Sequence, residues 1–196
     1  GLAVYGMLSM QWYIHVFSKY KRTPSKAIVR GNALPELPLH RLDKSAVSSS
    51  EFAGDKTLLV FFRANWCPFC MNQLKDVAAQ ADRLAKAGVK VKFISNQGFD
   101  NSAKLAEQMN LPAHFEILQD EGLRAAKALG IEDTGGAPSG MPSYPNDTVM
   151  ATVVALDEQG NVIFGDETDN YRRRPHPDTF LGVFEQTTGN VTKLAA

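Results

Sequence analysis

The sequence predicts an α/β domain: a central mixed sheet with helices on both faces, preceded by an extra N-terminal helix. Three observations predict it. Apolar runs of strand length alternate with helix-length amphipathic segments from Leu37 to Glu185. The run Leu58-Leu59-Val60-Phe61-Phe62 is continuously apolar, as in a strand buried on both faces. The strand Val149–Leu156 turns back through Asp157-Glu158-Gln159-Gly160-Asn161 into Val162–Gly165, a hairpin that makes the sheet mixed rather than all-parallel.

Each element has its own warrant. Residues 1–18 contain no Lys, Arg, Asp or Glu and read as an apolar helix, stopped by Thr23-Pro24. On that helix Gln11, His15, Ser18 and Arg22 form one narrow polar stripe. Residues 23–35 read as a linker, and Leu37–Leu42 as a short strand. Ser48-Ser49-Ser50-Glu51 marks a helix start before Phe52-Ala53-Gly54. Thr57–Phe62 is the central strand. Pro68–Ala87 is one long helix with Phe69, Leu74, Val77, Ala81, Leu84 and Ala85 on its apolar face, ended by Gly88. Strands follow at Val89–Ser95 and Phe115–Leu118, and helices at Ser102–Met109, Glu121–Leu129 and Asp178–Glu185, with a frayed tail. Residues 133–148, rich in Gly and Pro, break the rhythm as one long loop that feeds the strand beside the candidate site. The expected organisation is 1–33 helix and linker, 34–186 globular domain, and 187–196 tail.

Composition narrows function. The 196 residues carry 21 basic and 21 acidic side chains, a formal net charge of zero, without the basic excess of a nucleic-acid-binding protein. Two cysteines cannot frame a disulfide scaffold, and with four scattered histidines they offer no metal-ligand spacing, so no metal or cofactor is expected. Those cysteines are Cys67 and Cys70, in Trp66-Cys67-Pro68-Phe69-Cys70. A strand that delivers Cys-x-x-Cys to a helix N-terminus sets the sulfur among unpaired N–H groups, where the helix dipole favours thiolate. Thiolate attacks disulfides and peroxides. Arg63 sits four residues before Cys67, where its charge can stabilise a thiolate; Trp66 offers an apolar docking face; Pro68 presets the first helical turn.

With Leu34-Pro35-Glu36-Leu37-Pro38-Leu39, Gln73-Leu74, Leu118-Gln119-Asp120, Ala128-Leu129-Gly130-Ile131, Ala155-Leu156-Asp157 and Tyr171-Arg172-Arg173-Arg174-Pro175 in order around that motif, the chain resembles the thioredoxin superfamily. More closely, it is similar to peroxiredoxin-like redoxins of the alkyl hydroperoxide reductase/thiol-specific antioxidant family. The resemblance implies a thioredoxin-like fold and a thiol oxidoreductase needing no cofactor. Its partners would be a disulfide-bearing protein or a peroxide, together with an external thiol reductant. By the thioredoxin pattern Cys67 attacks and Cys70 resolves, and this thiol–disulfide exchange is the leading expectation. By the peroxiredoxin pattern, a Thr three residues before the peroxide-attacking cysteine falls on Cys67, and the attacker is Cys70. Three departures favour a third reading, a non-catalytic interaction module. Phe61 replaces the buried thioredoxin Asp; Val149-Met150-Ala151-Thr152 lacks the cis-Pro expected where substrate docks, at Met150 and Ala151; and no Arg stands near Ala151. Arg63 or the Arg172–Arg174 run, Arg174 above all, would supply the missing charge. For residues 1–22, with Trp and Tyr beside basic residues, the expectations are contact with a membrane or with another copy of the chain.

Overall fold

The computed structural model describes residues 2–194. In chain order the elements are α1 (Leu2–Trp12), β1 (Pro38–His40), β2 (Ala46–Ser48), β3 (Lys56–Phe61), α2 (Pro68–Ala78), α3 (Ala81–Lys86), β4 (Val89–Ser95), α4 (Phe99–Met109), β5 (Phe115–Gln119), α5 (Arg124–Leu129), β6 (Glu132–Asp133), β7 (Thr148–Val149), β8 (Thr152–Leu156), β9 (Val162–Asp166) and α6 (Pro177–Leu194). A π-helical turn, Tyr13–Phe17, follows α1.

Among the described residues the main sheet runs β2-β1-β5-β4-β3-β8-β9. β3, β4 and β5 are parallel neighbours, whereas β8, β9, β1 and β2 add antiparallel. The mixed sheet follows from its connections: helices link the parallel strands, and the Asp157 turn links the closing pair. Asp157 accepts from the Gln159 and Asn161 backbone N–H groups and so shapes that turn.

Every residue of β3 is buried. Strand alternation sends Leu58 and Val60, with Phe62 just beyond, into a core shared with Leu74, Val77, Phe93, Phe180 and Phe184. Leu59 and Phe61 point the other way, toward Ile94, Leu118, Leu129, Val154 and Ile28. Cys67 and Cys70 belong to the first core. Phe61, where a thioredoxin has its acid, is therefore a core side chain on the opposite face from the cysteines.

Several expectations are corrected. The long helix is two, α2 and α3, because the chain bends at Ala79-Gln80 while the apolar spacing continues. α4 starts at Phe99, before Ser102. The helix expected from Glu121 opens as a 3₁₀ turn, Glu121–Leu123, with Gly122 and Leu123 at positive φ. The strand after Pro35 spans only Pro38–His40 and gains an unforeseen partner, β2. The last helix continues past Glu185 to Leu194. Val149–Leu156 is not one strand either. Thr148 and Val149 pair with Asp133 and Glu132 in a separate ribbon, and only Thr152–Leu156 joins the main sheet. Two-residue strands carry too little periodicity to be read from sequence.

The N-terminal stretch departs most. Its helix ends at the π-turn, so Ser18 and Arg22 lie beyond it and extend no polar stripe. Residues 18–34 are docked rather than slack. Lys19 bridges Asn170, the Tyr20 N–H donates to the Asp169 carbonyl at 2.7 Å, and the Leu34 N–H donates to the Gly160 carbonyl at 3.0 Å. The Arg22 side chain is 4% exposed and donates to the Ala151 and Thr168 carbonyls and to the Thr152 hydroxyl. No helix among the described residues is long and apolar enough to cross a membrane.

Candidate functional site

The site forms where β3 ends and α2 begins. Cys67 is the N-cap of α2, in extended conformation, and Pro68 opens the helix at a position that would have no intrahelical N–H bond. Cys70 sits one turn in, so the two sulfurs lie on one face of the same turn, i and i+3. Both are free thiols and almost fully buried, Cys67 at 1% and Cys70 at 0% exposure.

Two groups converge on Cys70. The Arg174 guanidinium donates to Sγ at 3.2 Å, and the Arg63 backbone N–H donates at 3.5 Å. Burial opposes a charged sulfur here. The Cys67 S–H, the Arg174 charge and these two donations outweigh it, and the Cys70 thiol is pulled from 9.0 down to about 6. Cys67 moves the other way: its proton is held by Cys70, and burial and the neighbouring negative sulfur disfavour a second charge. The surroundings thus favour negative charge on Cys70 over negative charge on Cys67. Sequence reasoning led with Cys67 as the ionised sulfur because the N-cap feels the helix dipole first. The Cys67 S–H, the Arg174 charge and the Arg63 N–H together favour charge on Cys70 instead.

Arg63 does two jobs. Its backbone faces Cys70, while its side chain is 10% exposed and lies 4.7 Å over the Trp66 ring and 5.1 Å over the Tyr171 ring. The guanidinium donates to the Gly136 carbonyl and pairs with Asp133 at 3.9 Å. Arg63 therefore clamps the loop that joins β6 to β7. Asn96 donates to the Asp147 carbonyl and Asn101 to the Ser143 carbonyl, fastening the same loop farther along.

A cavity of about 940 Å³ opens over Cys67. Its walls are Trp66, Pro68 and Phe69 from the motif, Glu132 to Ser139 from the loop, Met150, Tyr171, and Tyr13, Lys19, Tyr20 and Lys21 from the N-terminal segment. Of the Gly- and Pro-rich stretch 133–148, Asp133 to Ser139 line this cavity, whereas Gly140 to Asn146 do not. Met150 lines the cavity. Ala151 does not: it is buried, its N–H donates to the Tyr20 hydroxyl and its carbonyl accepts from Arg22. Burial pushes the Tyr20 phenol up to about 12, against the pull of Arg63 and Arg174, so it stays protonated beside the sulfurs. Arg174 brings its charge to Cys70, and Trp66 and Pro68 flank Cys67, but Arg63 meets Cys70 only through its backbone N–H, its charge being engaged by Asp133 and the Gly136 carbonyl. Tyr13, Lys19, Tyr20 and Lys21 went unread as site residues, because no local motif marks a segment that reaches the site by folding back. Among the described residues no cluster of His, Cys, Asp and Glu could hold a metal ion.

Comparison with known proteins agrees with this frame. The AhpC/TSA family matches residues 30–164. The chloroplastic peroxiredoxin Q of Oryza sativa subsp. japonica is 30% identical over 121 residues, 61% of this chain and 55% of that protein. Peroxiredoxin Bcp of Escherichia coli (strain K12) is 29% identical over 101 residues, 52% of this chain and 64% of that protein. The chain thus spans little more than half the length of the curated relatives it matches. Among solved structures, peroxidoxin BcpB from Mycobacterium tuberculosis aligns with a TM-score of 0.66 at 18% identity, covering 84% of this chain and 98% of that one. Reduced Prx3 from Vibrio vulnificus, in complex with hydrogen peroxide, aligns with a TM-score of 0.68 at 21% identity, covering 80% and 99%. At these identities the structural matches show a shared fold.

Proposed function

The chain belongs to the AhpC/TSA family, and on that footing we propose that it is a thiol peroxidase in which Cys70 attacks the peroxide and Cys67 resolves the product. One observation carries this: Cys70 Sγ accepts from the Arg174 guanidinium at 3.2 Å and from the Arg63 N–H at 3.5 Å, two donors that favour its thiolate.

The Cys70 thiolate attacks one peroxide oxygen. The O–O bond breaks, the leaving alkoxide or hydroxide takes a proton, and Cys70 becomes a sulfenic acid. Arg174 faces the charge that moves from sulfur to oxygen in that step. Cys67, one helical turn away, then attacks the sulfenic sulfur; water leaves and a Cys67–Cys70 disulfide forms. An external thiol reopens it. Cys67 is the cysteine that lines the cavity, so the incoming thiolate meets Cys67, and Cys70 departs as the sulfur of lower pKa, the better leaving group. A second thiol of the reductant then attacks the mixed disulfide on Cys67 and frees it, so the two electrons given to the peroxide are returned and the reductant leaves as a disulfide.

A second reading is thiol–disulfide exchange started by Cys67 itself, and what favours it is that Cys67 rather than Cys70 faces the cavity. Against it, Cys67 holds its proton while Cys70 is ionised. One experiment separates the two. Reduced protein is given one equivalent of hydrogen peroxide and its intact mass is read. Wild type should lose two hydrogens, Cys67→Ser should gain one oxygen as a sulfenate, and Cys70→Ser should stay unchanged. Oxidation of Cys70→Ser at the wild-type rate would transfer the attack to Cys67. Inert cysteines in all three, with no reaction toward a model disulfide, would leave the interaction-module reading.

A further inference from the structure

The cavity is far larger than a small peroxide requires. Hydrogen peroxide fills on the order of two water volumes, ~60 Å³, against about 940 Å³ here. Its walls are of two kinds. Tyr13, Tyr20, Trp66, Phe69 and Tyr171 give flat apolar surface suited to a bulky organic body. The charged wall is uneven. Arg63 is already engaged by Asp133 and the Gly136 carbonyl. Lys19 and Lys21 are exposed at the rim, and among the described residues neither is in an ion pair. Glu132 is the one acidic wall residue left to oppose them. The segment that brings both lysines lies outside residues 30–164, so this wall is a feature of the chain rather than of the matched family region. No acidic residue precedes Glu36, so nothing nearby in the segment neutralises the pair.

We propose that the cavity selects organic hydroperoxides that carry a carboxylate, with Lys19 and Lys21 holding the anion and the aromatic walls holding the body. The proposal rests on the peroxidase reading above. Bound this way, the carboxylate stays at the rim while the hydroperoxide end reaches the floor at Cys67, beside Cys70. The O–O bond breaks as before, and the product is the corresponding alcohol, its carboxylate unchanged. The attraction comes from exposed lysines, so it is modest and weakens with salt.

The test uses two hydroperoxides of one shape: cumene hydroperoxide and its para-carboxylate. In wild type kcat/KM should favour the carboxylate by roughly five- to tenfold, mostly through KM, and the preference should shrink as ionic strength rises. In Lys19→Gln/Lys21→Gln the ratio should fall to about one. Lys26→Gln, which removes an exposed charge outside the cavity, should keep the wild-type ratio. A wild-type ratio near one, or a ratio that survives in the double variant, overturns the proposal. If neither hydroperoxide oxidises the cysteines, the peroxidase reading falls instead. The cavity's preference is then read from the two unreactive alcohols, by quenching of Trp66 fluorescence in a Trp12→Phe background. Tighter binding of the carboxylated alcohol that the double variant loses upholds the lysine wall, and equal binding of the two alcohols overturns it.

Discussion

Arg174 reaches Cys70 across 104 residues of chain and adds its charge to the donations from Cys67 and the Arg63 N–H that favour a charged Cys70. The same guanidinium donates to the Tyr171 and Arg173 carbonyls at 2.6 Å, which fixes its direction. Removing the charge should return Cys70 toward its ordinary value. In Arg174→Gln the midpoint of iodoacetamide alkylation at Cys70 should rise from about 6 toward 9.0. The sign is that of a depressed acid: the thiolate is populated above the folded value and lost as pH falls through it, so wild type stays reactive down to about pH 6. At pH 7 the variant should react with peroxide about tenfold more slowly, from its smaller thiolate fraction. An unmoved midpoint would show that Arg174 does not hold the thiolate. The motif itself was legible as a redox pair, and Arg174 stood among the named neighbours. Which cysteine ionises was not legible, because that depends on a charge far away in sequence.

At the scale of elements, the ribbon of β6 and β7 and the loop between them depend on Gly136. A Cβ there would lie 2.2 Å from Asp133 Oδ2 and 2.9 Å from Thr148 Cγ2. Gly136→Ala must therefore displace the Asp133 carboxylate or shift the backbone carbonyl that Arg63 grips. Either movement loosens the loop, at a cost of about 1–3 kcal/mol, so limited proteolysis between residues 134 and 147 should be about tenfold faster. Cleavage at the wild-type rate would mean that the Arg63 clamp does not order the loop. The sequence marked 133–148 as an interruption from its glycines and prolines. It did not mark the loop as a cavity wall, because Arg63 and Gly136 meet only after β3 and the ribbon are in place. Elements with long apolar repeats, such as β3 and β4, were read within a residue or two. The short ones, β2 and β6, were missed because two or three residues show no period.

For the whole molecule, the N-terminal segment behaves as two parts. Val4, Tyr5, Met7, Leu8, Met10 and Trp12 on α1 are exposed, whereas Arg22 is 4% exposed at its side chain and tied to Ala151, Thr152, Glu167 and Thr168. Arg22→Ala should therefore lower the stability to urea by about 3 kcal/mol, since it leaves the Ala151 and Thr168 carbonyls without this donor and the partly buried Glu167 carboxylate with only the Ser25 N–H. Deleting residues 2–12 should leave the urea midpoint unchanged. A midpoint that drops on the deletion, or holds in Arg22→Ala, would refute this division. Local patterning alone was enough for the alternating α/β order, the buried central strand and the Cys-x-x-Cys at a helix start, because periodicity and turn chemistry act between neighbours in the chain. The ionised sulfur, the clamp on the loop and the lysine-bearing wall of the cavity came from contacts between residues 70 and 174, 63 and 136, and 21 and its distant walls. Such contacts exist only once the chain has closed on itself, since charge and burial act through space and leave no period in the sequence.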